Sequence, residues 1–421
     1  MSIPAHSVVV SHPAKQHVYQ VVLALERAGL LRQFITGIYF KPNRFPYTMI
    51  RWLPAVGQVR LSKELRKRYF EELQGDLIIS VPYFEILSKI TRKMPFISDE
   101  MRLWVHLFAN WLHDLYVSHW ITRCHPQPSI VYGFEGSSLL SFRAAKRLGV
   151  ITVLDVPIMV NARDIMNKEA QLLGIGISSA NLEKRIRNRF REELFLADQI
   201  VSPSQAVAES IVGRNISSDK VRVLPFGVDT LRFQPRWMAE ARAVHQKFNV
   251  LFVGKFSALK GVHYLLEAWQ QLTLPNSELI IVGPVTNNEF AQKMRTRYKG
   301  KFIEYGNVPD YTIADVFSKA DIFVFPSLCE GSALVTYEAL ASGLPCVVTQ
   351  EAGSVVRDGI EGFVVPAYDV KTLEDRILRL YKDENLRWKM AVAARRRAEE
   401  FTWQNYHARL VNSLDIDLHG Q

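Results

Sequence analysis

Two glutamates stand eight positions apart around a glycine turn, after an apolar run. The stretch reads FPSLCEGSALVTYEALASGLPCVVT and contains Glu330 and Glu338. The run ending at Pro326 predicts a buried strand, because proline lacks the N–H group that a sheet ladder needs. A helix is predicted to follow over about 333–342, with Gly343 closing it.

The start of this predicted helix would suit a phosphate group. The first N–H groups of a helix have no partner within the helix, and its dipole favours an anion there. Carboxylates repel phosphate, so Glu330 and Glu338 are expected to accept hydrogen bonds from the hydroxyl groups of a sugar and a ribose. Taken singly, each glutamate has an ordinary alternative: Glu330 as a dipole partner at the helix start, and Glu338 as a solvated helix residue.

Two lysines could supply the positive charge that a phosphate leaving group needs. Lys255 follows Gly254 at a predicted strand end, and Lys260 precedes the next predicted helix. Cations aimed at a departing diphosphate stabilise its charge, so we predict a diphosphate clamp; solvated surface lysines are the alternative. The segment GKFSALKG lacks the GK[ST] ending of a Walker A loop, and no GxGxxG follows a predicted strand, which disfavours nicotinamide and flavin enzymes.

These residues lie among two series of short apolar strands that alternate with helix-length segments. Such strands predict parallel sheets covered on both faces, built from βαβ units. The first series is HSVVVS, FITGIY, LIISV, SIVYG, VITVL and DQIVS; the second is VRVLP, NVLFVG, ELIIVG, KFIEYG, DIFVFP, PCVVT and GFVVP. The turn-rich segment 224–235 separates them. We predict an α/β fold of two doubly wound domains, with ligand bound at the carboxyl ends of the strands.

Composition narrows the class of protein. The 421 residues are 48% hydrophobic and 22% charged, as in ordinary globular domains. Three cysteines are too few for a disulfide scaffold and predict a reduced, cytoplasmic protein. The N-terminal MSIPAHSVVVSHPAK lacks a basic region before its apolar run and predicts a first strand rather than a signal peptide. The net charge of +10 suits anionic partners, but no nucleic-acid-binding motif accompanies it, so nucleic acid is disfavoured.

The longest apolar segment is RLWVHLFANWLHDLYVSHWITR, residues 102–123. Its His, Asn and Asp residues make it too polar to cross a bilayer. The helical spacing of its apolar residues predicts one face of a core helix. A helix on a membrane surface, or one lining an acceptor groove, is the alternative, so peripheral contact with an anionic membrane stays open.

The motifs of the second half together resemble one family. Glu-x7-Glu after a strand ending in Pro-Ser, followed by EALASGLPCVV, resembles the retaining, nucleotide-sugar-dependent glycosyltransferases of family 4. LFVGKFSALKGVHYLLEAW, LIIVGP, YGNVPD and VVRDGIEGFVVPAYDVKTLEDRILRL follow in the family's order. The resemblance is dense over 190–400 and thin over 1–190. It implies the GT-B fold of two facing Rossmann-like domains: an acceptor domain over 1–215, a donor domain over 216–398, and a C-terminal helix over 399–421 that returns to the first domain.

The resemblance also implies roles for single residues. Glu330 would hold the donor sugar and Glu338 the ribose, while Lys255 and Lys260 act on the diphosphate. The other implied donor-binding residues are Gly254, Gly331, Ser332, Ala333, Leu334 and Val335, with Asn307 and Val308 near the base. No cofactor is expected beyond the nucleotide-sugar co-substrate. No metal is expected either, because the one DxD, at 415–417, lies in the C-terminal tail, a poor place for a rigid metal site.

The chain departs from the family pattern in two places. Where a Gly-Phe-Gly-Leu run is usual, residues 331–334 read Gly-Ser-Ala-Leu, so the donor sugar cannot be carried over. Adjacent glycines are usual after the first strand, and the loop here, SHPAKQHVYQ, has none. Candidates for the acceptor and diphosphate side are His12, Lys15 and His17 in that loop, and Glu135 and Asp155 after later strands. A simple turn with a solvated lysine is the alternative for the loop.

The resulting hypothesis is retaining transfer of a hexosyl group from a nucleotide sugar to a hydroxyl of a glycan or lipid-linked glycan. Such a reaction belongs to polysaccharide or glycoconjugate biosynthesis in the cytoplasm. A phosphorylase or an epimerase on the same fold is one alternative. A nucleotide-sugar-binding scaffold with a degenerate first domain is another, and the missing glycines are its support.

Overall fold

The structure is a computed structural model that describes residues 7–414, except 16, 42–46, 53–61, 63–64, 67, 95, 175–179, 239–246 and 285–287. Its strands form two separate parallel sheets. The strands of the first sheet are β1 (Val8–His12), β2 (Leu31–Thr36), β3 (Ile78–Ser80), β4 (Ile130–Phe134), β5 (Ile151–Asp155), β6 (Gln199–Ser202) and β7 (Val221–Val223). Those of the second are β8 (Phe248–Val253), β9 (Ser277–Val282), β10 (Ile303–Gly306), β11 (Ile322–Phe325), β12 (Cys346–Thr349) and β13 (Gly362–Val365).

Both sheets reverse their strand order once. The first runs β3-β2-β1-β4-β5-β6-β7 and the second β10-β9-β8-β11-β12-β13, with every neighbouring pair parallel. A reversal of order opens a crevice at the carboxyl ends of the two central strands, here β1 and β4, and β8 and β11. Strands such as β1, β4 and β8 are buried along their whole length, which explains their continuous apolar sequence. The predicted pair of doubly wound parallel sheets is confirmed.

Helices cover the faces of both sheets. Those of the first half are α1 (Val18–Arg27), α2 (Pro82–Lys93), α3 (Asp99–Arg123), α4 (Leu139–Arg147), α5 (Ala162–Leu172), α6 (Ala180–Leu196) and α7 (Gln205–Val212). Those of the second half are α8 (Val262–Leu272), α9 (Glu289–Arg297), α10 (Ile313–Ser318), α11 (Leu334–Ala341), α12 (Val370–Lys382), α13 (Glu384–Glu400) and α14 (Trp403–Ser413). No helix in the part of the chain that the structure describes is long and apolar enough to span a membrane.

One predicted strand lies in the other sheet. The segment VRVLP was assigned to the second series, yet β7 pairs with β6 through Ile200 and Val221, which extends the first sheet beyond the predicted limit of 215. The physical reason is the short crossover through α7, which returns the chain beside the strand it has just left. A strand of only three residues, such as β7, has no sequence pattern that indicates which sheet it joins.

The two halves touch at several points besides the chain connection. The last helix, α14, lies against α1, where His407 Nε2 is 2.8 Å from the side-chain oxygen of Gln20. Buried Glu169 of α5 accepts a hydrogen bond from His263 Nε2 of α8 at 3.0 Å. These contacts hold the carboxyl ends of the two sheets close to each other. The predicted return of the C-terminal segment is therefore seen over 403–413, and residues 415–421 lie outside the described residues.

Candidate functional site

A cleft of about 660 Å³ lies between the two halves of the chain, where the central strands of both sheets end. From the second half it is lined by Val253, Gly254, Lys255, Lys260, Phe325, Glu330, Ser332, Ala333, Leu334 and Val335. From the first half it is lined by His12, Pro13, Ala14, His17, His106, Asn110, Phe134, Glu135, Ser137, Pro157, Ile158 and Phe226. The cleft thus sits where parallel sheets bind their ligands.

The N-terminus of α11 forms one wall of the cleft. Its predicted bounds were nearly right, and Gly343 does follow it, with a φ of 67° that only glycine adopts easily. The N–H of Ala333 donates to the carbonyl of Ala352 at 3.1 Å, so this group is not available to a ligand. The N–H groups of Leu334 and Val335 are at the helix start, where no intrahelical acceptor exists. An anion in the cleft would meet the positive end of this helix.

Opposite charges meet beside this helix terminus. The ammonium of Lys260 contacts the carboxylate of Glu330, and both side chains are mostly buried. Burial lowers the pKa of Lys260 to about 8, with a smaller lowering by the nearby Lys255. The contact places an ammonium group and a carboxyl group side by side at the cleft wall. Lys255 is exposed at the same wall and directly follows Gly254, which is the first residue after β8.

Gly331 lies where the two halves of the chain come closest. A Cβ atom added there would be 1.5 Å from the carbonyl oxygen of Pro157 and 3.3 Å from the ring of Pro203. The Ser204 hydroxyl donates to the carbonyl of Gly331, which ties the same turn to the first half. Glycine is therefore required for contact between the halves, and φ plays no part, since Gly331 is not among the residues of positive φ.

A buried hydrogen-bond network forms the first-half wall. His17 Nε2 is 2.9 Å from Asp155 Oδ2, and the Tyr132 hydroxyl donates to the same oxygen at 2.7 Å. The other oxygen, Asp155 Oδ1, is buried and accepts no hydrogen bond from the described residues. The His17 ring faces Phe226 and Phe134 at centroid distances of 4.6 and 5.4 Å. Asp155 thus orients His17 from behind, while His17 itself lines the cleft.

His12 ends β1 and lies edge-on to Phe134, with ring centroids 4.6 Å apart. Burial lowers the pKa of His12 to about 4, so the ring is neutral at pH 7. The glycine-free loop after β1 therefore presents two imidazoles to the cleft, His12 and His17. Lys15 points elsewhere: it is exposed, does not line the cleft, and its ammonium lies 5.5 Å from the Tyr19 ring.

Two carboxyl groups lie near each other on this side of the cleft: Glu135 is half-buried and lines the cleft, and Glu193 is buried. Burial, together with the charges of Glu193 and Asp155, raises the pKa of Glu135 to about 8. Glu135 Oε2 is buried without a hydrogen-bond partner among the described residues. Glu193 accepts hydrogen bonds from the N–H groups of Gly136 and Ser138 at 2.6 and 3.0 Å, and burial raises its pKa to about 7. At neutral pH Glu135 is mainly protonated, so it can donate a proton into the cleft.

Some predicted site residues are not brought to the cleft. Glu338 lies half-buried on α11 and does not line it. Asn307 is exposed in the loop after β10, and Val308 packs partly against the core of the second half. Among the described residues, no group of three His, Cys, Asp or Glu side chains could hold a metal ion. The Asp415-Ile416-Asp417 segment lies outside the described residues.

Other cleft residues were missed from the sequence. His106 and Asn110 lie four positions apart on α3 and both line the cleft. The available signal was their interruption of an apolar run, which was used only against a membrane span. Glu193 gave no signal, because a buried carboxylate in a charged helical segment looks like any solvated one.

A larger hollow of about 830 Å³ lies elsewhere in the second half. Its lining includes Phe248, Asp321 and Leu344, which stand at the amino ends of β8, β11 and β12. Ligands of parallel α/β sheets bind at the opposite end, so the smaller cleft is the better candidate.

Two doubly wound sheets that face each other across a cleft at their strand ends define the GT-B class of glycosyltransferase folds. A solved structure described as Anabaena HepE in complex with UDP and glucose matches with a TM-score of 0.62, covering 97% of this chain and 99% of that chain. The sequence identity is 14%, so this likeness shows the fold. The fold class implied by the sequence motifs is confirmed.

Sequence comparison then shows which known proteins the second half resembles. Residues 233–397 match the family model described as "Glycosyl transferases group 1". Spore coat protein SA of Bacillus subtilis (strain 168) is 28% identical over 242 residues, which is 51% of this chain and 64% of that protein. The D-inositol 3-phosphate glycosyltransferase of Arthrobacter sp. (strain FB24) is 30% identical over 255 residues, 54% of this chain and 61% of that protein. The chain thus spans less than two thirds of the length of these curated relatives.

Proposed function

We propose that the protein is a retaining glycosyltransferase that moves a sugar from a nucleotide-sugar donor to an acceptor hydroxyl. The observation that carries the proposal is the composition of the cleft: one wall has a helix N-terminus with Lys255 and Lys260, and the other has buried acid–base side chains. The match to group 1 glycosyltransferases and the solved relative that holds UDP and glucose support it. Phosphorylases and epimerases on the same fold are the rival enzymes.

In this proposal the second half binds the donor. The diphosphate lies at the start of α11, where Lys255, Lys260 and the helix dipole stabilise the charge of the departing nucleotide. Lys260 contacts Glu330 in the structure, so a bound diphosphate offers the ammonium a second anionic partner. Glu330 then accepts hydrogen bonds from hydroxyl groups of the donor sugar. Glu338, Asn307 and Val308 do not line the cleft. Their assignment to the ribose and to the edge of the base rests on the sequence resemblance, and it requires the nucleotide to extend beyond the cleft.

The first half binds the acceptor in this proposal. His17, held by Asp155, and the neutral His12 are placed to contact acceptor hydroxyl groups or the donor phosphate. The donor phosphate accepts the acceptor's proton, so no side-chain base is assigned. The close contact between Gly331 and Pro157 keeps water out of the cleft during transfer, which limits hydrolysis of the donor.

The acceptor is proposed to be a glycan or a lipid-linked glycan, in polysaccharide or glycoconjugate biosynthesis. The proposed compartment is the cytoplasm. The three cysteines, Cys124, Cys329 and Cys346, are free thiols, which fits a reducing environment. No metal is assigned a role, because the lysines and the α11 terminus can stabilise the diphosphate charge.

The test combines nucleotide binding with turnover. Thermal stabilisation is measured with UDP, GDP, ADP and CDP, with and without magnesium, on the wild type and on Glu338→Ala. One nucleotide is expected to raise the melting temperature without metal, since a ligand at one hundred times its Kd adds about 2.7 kcal/mol to the free energy of unfolding. The Glu338→Ala substitution should remove the shift. No shift with any nucleotide would contradict the proposed donor site.

The Glu330→Gln variant separates binding from chemistry. It should release no nucleoside diphosphate from the matching sugar donor, yet bind that diphosphate as tightly as the wild type, because the amide leaves Lys255 and Lys260 in place. A Glu330→Gln protein that turns over at the normal rate would refute the role of Glu330. Turnover that requires inorganic phosphate would favour a phosphorylase, and binding without any turnover of the wild type would favour a scaffold.

A further inference from the structure

Helix α3 is apolar on two faces, and only one of them packs inside the protein. Ala109, Val117 and Ile121 are buried on the inner face. The outer face, which we call the α3 stripe, consists of Met101, Trp104, Phe108, Trp111 and Leu115, with exposed fractions of 54, 39, 51, 38 and 43%. Their spacing of three and four residues places them in one line about 21 Å long.

The α3 stripe is a continuous surface and not a set of scattered residues. The rings of Phe108 and Trp111 stack with their centroids 5.8 Å apart and an interplanar angle of 19°. Monomeric proteins rarely expose large contiguous apolar patches without a partner for them. The inner face of α3 already anchors the helix in the protein. The five large side chains of the outer face therefore indicate an apolar binding partner outside it.

Cations flank most of the α3 stripe, although Glu100 is exposed beside Met101 at its start. Residues 101–113 contain no Asp or Glu. At the start of α6, Lys184 and Arg185 are exposed, and the Arg185 guanidinium lies 4.9 Å over the Trp104 ring. The chain as a whole carries a net charge of +10. An apolar helix face that is flanked by cations is suited to bind a partner with an apolar interior and an anionic boundary.

The two occupants to separate are a lipid bilayer and a second copy of the chain. A spacing of three and four is also that of a coiled-coil seam, but such seams prefer Leu, Ile and Val. The centre of the α3 stripe is Trp104, Phe108 and Trp111, and tryptophan is the residue enriched at membrane–water interfaces. We propose that the α3 stripe docks on an anionic bilayer, with its side chains at the boundary between headgroups and acyl chains.

Docking in this way brings the cleft next to the membrane. His106 and Asn110 lie on the side of α3 opposite to the stripe, and both line the cleft. A helix with its side chains is about 10 Å thick, so the cleft opens about one helix diameter from the lipid surface. If the proposed transferase function holds, the acceptor is a hydroxyl of an amphiphile that stays in the membrane.

The experiment is flotation of the full chain with vesicles of phosphatidylcholine alone or with phosphatidylglycerol added. The wild type should float with the anionic vesicles, and less so as salt is raised. The double variant Phe108→Glu and Trp111→Glu should bind at least about tenfold more weakly, and Arg185→Glu about tenfold more weakly on anionic vesicles only. The matched control is Leu231→Glu, because Leu231 is 83% exposed in the chain segment between the two sheets; this protein should bind like the wild type.

Each outcome decides the proposal. Failure of the wild type to float, or equal flotation of the double variant, overturns it. Light scattering in solution addresses the rival occupant: a wild-type dimer that the double variant converts to a monomer would make the α3 stripe a subunit interface, and the proposal would be wrong. Circular dichroism and thermal stabilisation by nucleotide verify that the double variant is folded. These readouts also separate a failure of membrane docking from a failure of the proposed donor site.

Discussion

Replacing Glu135 by Gln should change how the stability of the protein depends on pH. In the folded protein burial raises the pKa of Glu135 from 4.5 to about 8, with further contributions from Glu193 and Asp155. In the unfolded chain the carboxyl ionises near 4.5, so above that pH the folded protein binds a proton that the unfolded chain does not. Stability therefore falls as pH rises from about 5 to 8. A neutral glutamine lacks this proton and should not show the decline.

The magnitude follows from the pKa. A rise from 4.5 to about 8 corresponds to about 5 kcal/mol when the group is fully ionised. Between pH 6 and pH 8 the wild type should lose about 2 kcal/mol relative to the variant. For a domain of about 200 residues this is a change of about 4–8 °C in melting temperature. Already at pH 6 the wild type should be about 2 kcal/mol less stable than the variant, because the glutamate ionises there only in the unfolded chain; the two proteins should melt together only at about pH 4 and below, where the glutamate is protonated in both states.

The assay is scanning calorimetry of both proteins from pH 5.5 to 8.5, reading the transition of the first half. The control is Glu192→Gln, since Glu192 is half exposed and paired with Arg143 on the surface. Its melting temperature should differ from the wild type by a small amount that does not depend on pH. A difference between wild type and Glu135→Gln that stays constant from pH 6 to pH 8 would refute the reasoning. The difference in melting temperature reports the ionisation of Glu135 together with its electrostatic coupling to Glu193, whose pKa is raised to about 7.

Three further substitutions test the second half of the cleft. Gly331→Ala places a Cβ atom 1.5 Å from the Pro157 carbonyl oxygen, so the two halves of the chain cannot meet as they do in the structure. The rate of sugar transfer should fall about 100-fold, while nucleotide binding measured by calorimetry is retained. An unchanged rate of transfer would mean that this contact is dispensable. Lys255→Ala and Lys260→Ala each remove a cation aimed at the diphosphate. The Kd for the nucleoside diphosphate should therefore rise roughly 10- to 100-fold for each variant. At high salt the rise in Kd should be smaller for the exposed Lys255 than for Lys260, because salt screens exposed charges more strongly. A Kd that neither substitution changes would place the diphosphate elsewhere.

Much of the fold could be predicted because its signals are local. Continuous Val- and Ile-rich runs such as those of β1 and β8 are required wherever helices cover both faces of a parallel sheet. Pro326 and Gly343 mark the end of a strand and of a helix through their own backbone chemistry. The second-half wall of the cleft was predicted for the same reason: Glu330, Lys260 and the α11 terminus all come directly after strands or before helices, and such positions fall at the carboxyl edge of a sheet.

The rest depended on which distant segments meet. His17 and Asp155 are 138 positions apart in the chain, and their sequence contexts do not indicate that one orients the other. Gly331 was assigned to a turn, while its actual constraint is the Pro157 carbonyl of the other sheet. Lys15 has the charge suited to a phosphate but points away from the cleft toward Tyr19.

Local sequence patterns were enough to predict most of the strands, the helices beside the cleft in the second half and the residue types available for chemistry. The packing of distant segments had to be known to see that β7 joins the first sheet, that His106 and Asn110 line the cleft, and that the pKa of Glu135 is raised. Secondary structure follows from backbone geometry and the period of apolar residues, which are properties of neighbouring residues. Side-chain contacts, burial and pKa values follow from groups that only the packed chain brings together.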